Sequence, residues 1–409
     1  MHYIIAVRWL IVILFNIINI GLVFAEGIID VNPYASLNTI YDDNVFRFSN
    51  SNQAEARFGS RATSDRIIRK EIGVDMNLRL SRQLVSLSAA INQNEYDRFT
   101  LLDNIGKSYG LNWDWRLGND LFGAIGKNES ESLAGFNELR TTARNIRSIN
   151  REYFITNWQF QPNWSVRGSY EIAKSDNSER SFDFLNRESH FYDAGLQYAN
   201  FAGTQLGVSY RNFYSEFPDR TGFATFAFGN ENTQQELIIN FAWLPTIKSR
   251  ISARLSGVEL NYQDVAGRNF SGFNQRWNFD HSLTANTLFN ITAYKEISAI
   301  DDVLASYVKM TGFGVNSKWN PTQKVSLNAG LGFEERDYLG AAGLSNFGFV
   351  NQSGADRLDE SKFANITLSY LPNSKSRLEL SYTGERRTSN ETFLNYNFNS
   401  LRAFFRYSF

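Results

Sequence analysis

Apolar and polar side chains alternate one by one along many segments of this chain, and this alternation limits its fold more than any other feature. Residues 71–80 read Glu-Ile-Gly-Val-Asp-Met-Asn-Leu-Arg-Leu, and residues 108–117 read Ser-Tyr-Gly-Leu-Asn-Trp-Asp-Trp-Arg-Leu. Successive side chains of a β-strand point to opposite faces of the sheet, so each segment has one apolar and one polar face. Such runs reach the roughly 9 to 11 residues that a tilted strand needs to cross a bilayer.

Short and long connections alternate between the predicted strands. Four of the six prolines, Pro162, Pro245, Pro321 and Pro372, lie two residues after an aromatic and just before a new alternating segment. Proline fixes φ and donates no backbone hydrogen bond, so it suits a tight turn. Further short turns are predicted at 81–83, 118–120, 200–204 and 285–287. Long polar connections are predicted at 42–69, 93–105, 127–149, 174–187, 216–233, 263–271, 295–306, 336–360 and 385–395.

The C-terminal segment is a strand of the same kind. One face of this strand carries Leu401, Ala403, Phe405, Tyr407 and Phe409. The residues between them are polar or basic, except for Phe404. A last strand that ends on an aromatic, with Phe405, Tyr407 and Phe409 on one face, resembles the signal by which bacterial outer-membrane barrels are recognised and inserted. The resemblance implies outer-membrane lipid and the barrel-assembly machinery as partners.

The N-terminal residues 1–25 look like a cleaved export signal. They carry one basic residue, Arg8, followed by an apolar run that ends in Val23-Phe24-Ala25, so we expect cleavage before Glu26. The alternative is an uncleaved membrane anchor, because the run is long for a signal peptide. The predicted domains are a signal peptide, 1–25, and an outer-membrane β-barrel, 26–409.

Composition agrees with a barrel once its wet interior is taken into account. After the signal no stretch of about 18 apolar residues recurs that could span a bilayer as a helix. The mean hydropathy of −0.35 and the 20% of charged residues suit strands that keep half of their side chains in a polar lumen. Aromatics make up 15% of the chain, as expected where they face both membrane interfaces. A soluble all-β protein such as a propeller is the alternative.

These observations predict an all-β fold: a transmembrane antiparallel up-and-down β-barrel with short periplasmic turns and long external loops. An opening strand at residues 34–41, eight hairpins and the closing strand give about 18 strands. The chain has no cysteine, so closure of the sheet and packing must hold it together. The net charge of −1 gives no reason to expect a nucleic-acid partner.

The residues offer little for catalysis, cofactors or metals. His2 leaves with the signal, so only His190 and His281 could act as a general base near neutral pH, and neither lies in a nucleophile motif. The acidic segment 42–44 lacks the spaced carboxylates of a calcium loop and is expected to be a solvated loop start. We expect no enzyme, no cofactor and no metal site.

Charged side chains on the polar strand faces are the candidate functional residues. The candidates for the lumen and substrate path are Arg79, Asp114, Arg116, Arg167, Arg211, Arg254, Arg276, Arg377, Glu379, Arg402 and Arg406. Because unpaired charge is costly in a dry interior, they imply water in the barrel. They form either a network that stabilises the wall or an electrostatic track for a hydrophilic solute with a mild preference for acidic ones. Arg377, Arg402 and Arg406 are the first choice for a basic stripe, and segments 127–149 and 340–354 are the connections most able to fold inward.

The start of the mature chain suggests a family. Asp42-Asp43-Asn44-Val45-Phe46-Arg47, the four aromatic-x-Pro turns and the terminal Phe409 resemble the EpsL-like outer-membrane barrels encoded with exosortase-linked exopolysaccharide pathways, a group of the wider porin superfamily. The resemblance implies export or assembly of an extracellular polysaccharide, with the polysaccharide and periplasmic export components as further partners. Two alternatives remain: a general or solute-specific porin, and a structural or surface-binding barrel with a closed lumen.

Overall fold

The computed structural model describes residues 28–137, 141–299, 307–339 and 357–409. The predicted signal peptide and the 340–354 segment lie outside the described residues. The strands are β1 (Ile29–Asp42), β2 (Asp65–Leu80), β3 (Gln83–Tyr96), β4 (Asn104–Leu117), β5 (Leu121–Leu133), β6 (Ile146–Gln161), β7 (Trp164–Asn177), β8 (Arg187–Ala199), β9 (Gln205–Glu216), β10 (Glu231–Thr246), β11 (Ser249–Tyr262), β12 (Phe270–Thr284), β13 (Thr287–Ala299), β14 (Tyr307–Trp319), β15 (Val325–Leu339), β16 (Leu358–Tyr370), β17 (Ser376–Ser389) and β18 (Tyr396–Ser408).

The described strands form one closed barrel of eighteen antiparallel strands. Each strand pairs with the next along the chain, and β1 also pairs with β18. At this closing seam Tyr34 lies opposite Ser408, and on its other side Tyr34 lies opposite Gly73 of β2. The predicted up-and-down barrel and its strand number are therefore confirmed.

The two ends of the barrel differ in the length of their connections. At the short-turn end the connections are 81–82, 118–120, 162–163, 200–204, 247–248, 285–286, 320–324 and 371–375. At the opposite, long-loop end the fully described connections are 43–64, 97–103, 178–186, 217–230, 263–269 and 390–395. Pro245 lies inside the end of β10, where the pairing register with β11 shifts, so the strand tolerates the missing donor in an irregular pair.

Helices occur only between strands in the described part of the chain. The helix α1 (Ser51–Phe58) is capped by the side chain of Asn50 and ends at Gly59, whose φ of 66° is left-handed. The second helix, α2 (Phe223–Phe228), spans six residues. Short 3₁₀ turns lie at Thr100–Leu102, Arg180–Leu185, Ala266–Arg268 and Thr392–Leu394. No helix among the described residues is long and apolar enough to cross a membrane.

The strands are longer than the sequence predicts, mainly at the long-loop end. Strand β5, for example, continues to Leu133 inside the predicted connection 127–149. The cause is charge pairing between neighbouring strands on the outer wall: Lys127 lies 2.7 Å from Glu152, and Lys107 lies 3.3 Å from Glu131. Lys127 and Glu131 fall in the predicted connection 127–149, but they belong to a paired strand that continues past the apolar part of the wall.

The outer face of the barrel carries an apolar belt. Large hydrophobic side chains that stay exposed follow the alternation from strand to strand, among them Leu111, Trp113, Phe154, Val208, Ile239, Trp277, Phe313, Leu331, Ile366, Leu380 and Phe405. Exposed side chains of this kind, arranged all around a closed sheet, match the surface that a bilayer covers. The predicted alternation thus fixes which side chains face outward and which face the lumen.

The closing seam can be tested by a disulfide, because the native chain has no cysteine. Backbone bonds from Phe409 to Pro33 and from Asp43 to Asn399 alternate along the seam and leave Asn38 opposite Phe404 as a non-hydrogen-bonded pair. Facing side chains approach closely in such a pair, so Asn38→Cys with Phe404→Cys should cross-link on mild oxidation.

Non-reducing electrophoresis of the boiled protein measures this cross-link as a shift in migration. The control combines Asn38→Cys with Phe405→Cys, since Phe405 is on the opposite face of β18 and should not react. Cross-linking of the control pair alone would contradict the register.

Candidate lumen wall and mouth

All eleven predicted lumen candidates lie on the strand faces opposite to the apolar belt. Within this face Arg254 of β11 lies directly opposite Arg276 of β12, and Arg377 of β17 lies opposite Arg406 of β18. Arginines that face one another across strands repel unless other charges separate them. The carboxylates nearby therefore decide what these residues do.

Ion pairs hold the arginines on the β8–β13 side of the wall. Arg211 lies 3.3 Å from Asp193, and Arg254 lies 2.9 Å from Glu236. Arg276 makes two hydrogen bonds to Glu296, with a closest approach of 2.7 Å.

The carboxylates in these pairs, Asp193, Glu236 and Glu296, were missed by the sequence analysis. Strand alternation alone would have placed Asp193 and Glu236 inside, whereas Glu296 falls in the predicted connection 295–306 and lies in a strand only in the structure. What the sequence does not show is which arginine each one meets, because that depends on the register between strands.

The predicted basic stripe at the closing strands is largely neutralised. Arg377 hydrogen-bonds Glu379, and Arg402 lies 3.7 Å from the other oxygen of the same carboxylate. Arg406 lies 2.8 Å from Asp75 of β2 and 3.6 Å above the ring of Tyr34. These three side chains are close together, but carboxylates offset most of their charge.

A second group of inward charged residues, four of the candidates together with Arg250, forms no ion pair among the described residues. It consists of Arg79, Asp114, Arg116, Arg167 and Arg250, and all of them lie in the part of the strands near the short-turn end. Among the described residues, the buried Nε of Arg167 has no hydrogen-bond partner. The four cations outnumber the carboxylates here even when Asp280, which lies opposite Arg250, is counted with Asp114. This group therefore leaves an excess of positive charge in this part of the lumen, which is costly unless it is solvated.

A lumen cavity of about 460 Å³ adjoins this region. Its wall comes from β6 to β10 and includes Arg151, Arg167, Glu171, Asp193 and Arg211. Arg151 and Glu171 form another ion pair, 2.5 Å apart. The cavity therefore exposes Arg167, which forms no ion pair among the described residues, beside two arginines that have carboxylate partners. It is polar enough to hold water and a hydrophilic solute.

At the long-loop end, three connections pack together around Phe46. This side chain is 1% exposed and contacts the rings of Phe58, Phe99 and Phe136, with ring centroids 4.7 to 5.1 Å apart. We call this group, with Val45 and Leu102, the mouth cluster. It joins the loops after β1, β3 and β5 into one body.

The acidic segment 42–44 is not the solvated loop start that the sequence suggested. Asp42 makes two hydrogen bonds of 3.0 Å to the guanidinium of Arg47, and both Asp42 and Asn44 are buried. Asp43 accepts hydrogen bonds from the backbone and side chain of Asn399. The acidic groups serve contacts within the chain, which local sequence could not show because Asn399 is so distant along it.

The remaining singled-out residues lie outside the lumen. His190 bonds the hydroxyl of Tyr170 and His281 that of Ser249, both on outward strand positions. Phe405, Tyr407 and Phe409 also face outward, and the rings of the last two contact each other. No group of three or more potential metal ligands occurs among the described residues.

Comparison with known proteins gives likenesses of fold. No family model matches the chain, and no curated protein matches it. A BenF-like porin from Pseudomonas fluorescens Pf-5 has a TM-score of 0.52 at 11% identity, over 93% of this chain and 99% of that one. OccAB3 from Acinetobacter baumannii has a TM-score of 0.50 at 10% identity, over 93% and 99%. Both likenesses show that this chain shares the fold of outer-membrane porins.

The mouth cluster yields a stability prediction. Phe46→Ala removes a fully buried ring and should destabilise the cluster by about 3–5 kcal/mol. Limited proteolysis of the purified barrel measures this, because cleavage within 43–64 reports the opened state. Phe201→Ala is the control, since Phe201 is 96% exposed in a short turn. Equal cleavage of the two variants would show that the cluster does not hold the loops.

Proposed function

We propose that this chain is an outer-membrane channel that lets hydrophilic solutes cross, with a preference for anions. The observation that carries the proposal is the excess of unpaired arginines over carboxylates in the lumen near the short-turn end. An eighteen-stranded barrel is wide enough for an aqueous channel. Its porin-like fold and its polar inner wall support the same function.

The location in the outer membrane is part of the proposal. The exposed apolar belt supports it, because these side chains would be costly to leave in water. The outward ring pair Tyr407 and Phe409 at the end of β18 suits recognition by the barrel-assembly machinery. The short-turn end would then face the periplasm and the long-loop end the exterior, as in other outer-membrane barrels.

Polysaccharide export remains the second candidate, and the resemblance at 42–47 is the observation that favours it. Asp42 and Arg47 bind each other and neighbouring loops, so their place in the fold accounts for this motif without a polymer. The resemblance therefore adds less to the export hypothesis than the lumen charges add to the channel. A barrel with a closed lumen would conduct neither solutes nor ions.

Location gives the first functional test. Fractionation should recover the protein with the outer membrane, and the barrel should migrate faster before boiling than after, because the closed sheet stays compact. A soluble periplasmic protein would contradict both the location and the channel.

In a deletion strain we expect surface polysaccharide at its normal level, and its loss would favour export instead.

Ion selectivity tests the role of the unpaired arginines. Arg167→Gln with Arg250→Gln removes two cations that form no ion pair within the described part of the chain, so the channel in a planar bilayer should lose its anion preference. The reversal potential under a KCl gradient measures the chloride-to-potassium permeability ratio, which should fall.

The matched control removes an ion pair without changing the net charge. Arg276→Gln with Glu296→Gln should leave the permeability ratio close to that of the native channel. If both double variants shift the ratio equally, or if neither does, the unpaired arginines do not set the selectivity.

A further inference from the structure

Asn137, in the loop that follows β5, is held by two arginines from distant parts of the chain. Its side-chain oxygen accepts a hydrogen bond of 3.1 Å from Nε of Arg47. Its backbone oxygen accepts one of 3.2 Å from Nη1 of Arg387 in β17. We call these three residues the mouth clamp.

Both arginines of the clamp are fixed by partners of their own. Arg47 has a left-handed φ of 57°, is paired with Asp42, and lies 3.6 Å above the ring of Phe398. Its side chain is 13% exposed.

Arg387 is 3% exposed and pairs with Asp359, which is fully buried. Its guanidinium also donates to the hydroxyl of Tyr338 at 3.2 Å. A guanidinium that donates hydrogen bonds through several of its N–H groups keeps one orientation. Asn137 is therefore bound by two arginines whose side chains are rigidly held.

The mouth clamp joins two points of the barrel wall that lie many strands apart. Strand β17 and the loop after β5 are separated by β18 to β4 along one side of the barrel and by β7 to β16 along the other. The clamp therefore crosses the mouth as a chord and divides it into a smaller and a larger sector. The mouth cluster lies in the smaller sector, and a cavity of about 470 Å³ lies beside it, lined by Arg69, Asn92 and Ser108 among others.

We propose that Arg47 and Arg387 set the size limit for solutes by holding the loop at Asn137 across the mouth. Solutes then enter through the larger sector, over the wall that carries Arg167 and Arg250. This inference rests on the proposed channel function, since a size limit matters only to a barrel that conducts. It also makes Arg47, the last residue of the 42–47 motif, a specificity determinant that acts by positioning a loop.

The first test uses the full-length barrel in planar bilayers and in vesicles. Arg47→Gln with Arg387→Gln should raise single-channel conductance and admit larger neutral sugars in a vesicle-swelling assay. The control, Arg66→Gln, removes an arginine at the same end that pairs with Asp97 on the outer wall. Native conductance and an unchanged sugar cutoff in the clamp variant would overturn the inference.

The second test needs no conduction. Ser108→Cys places a thiol in the cavity of the smaller sector, and a bulky impermeant maleimide on intact cells should label it slowly. With the clamp variant as background the labelling should become faster, while a small maleimide should change little. Equal rates in both backgrounds would overturn the clamp. A native barrel that does not conduct, but whose labelling still depends on the clamp, would reject the channel and leave the clamp in place.

If the double variant fails to assemble, Arg47→Lys provides the same test by a milder change. Lysine keeps the charge beside Asp42 but loses the planar fork that reaches Asn137. It should raise labelling of the cysteine at position 108 by less than the double variant does. Labelling at the native rate in a correctly assembled Arg47→Lys barrel would count against the clamp.

Discussion

The backbone pairing between β1 and β18 is the constraint on which the rest of the structure depends. Within a bilayer no water is available to bond a free strand edge, so each spanning strand needs a partner on both sides. The seam supplies the last of these pairings, and its register places Leu37 opposite Phe405 on the outside and Ser36 opposite Arg406 on the inside. Once the register of the seam is set, the alternation of side chains along each strand places all the remaining strand residues either on the outer face or in the lumen.

The alternation of outward and inward side chains also explains how much of the fold the sequence could predict. The alternation of Leu111, Trp113 and their polar neighbours showed the strands, and the eight short turns, four of them with proline, gave their number. The strand ends were predicted poorly, because Lys127 looks like a loop residue until its pairing with Glu152 of the next strand is seen. Side-chain partners depend on register and on folded loops. The contact of Asn137 with Arg387 joins residues far apart in the chain, and no local sequence pattern predicts it.

The inner wall combines two arrangements that the sequence left as alternatives. Arg211, Arg254 and Arg276 belong to a network of ion pairs that holds neighbouring strands. Arg79, Arg167 and Arg250 lack such pairs among the described residues and leave a field in the lumen. A wall of this kind is rigid where charges are matched and attractive to anions where they are not, so both properties can come from one residue type.

The seam between β1 and β18 also governs how the barrel must form. Its two strands lie at opposite ends of the described chain, so their contact has the largest sequence separation in the fold, and such contacts form slowly. Until they meet, β1 and β18 each present an unpaired edge that can recruit strands of other chains. Every barrel therefore passes through an open sheet that is prone to aggregation. The time spent in that state, more than the stability of the closed barrel, should limit how much protein a cell can assemble.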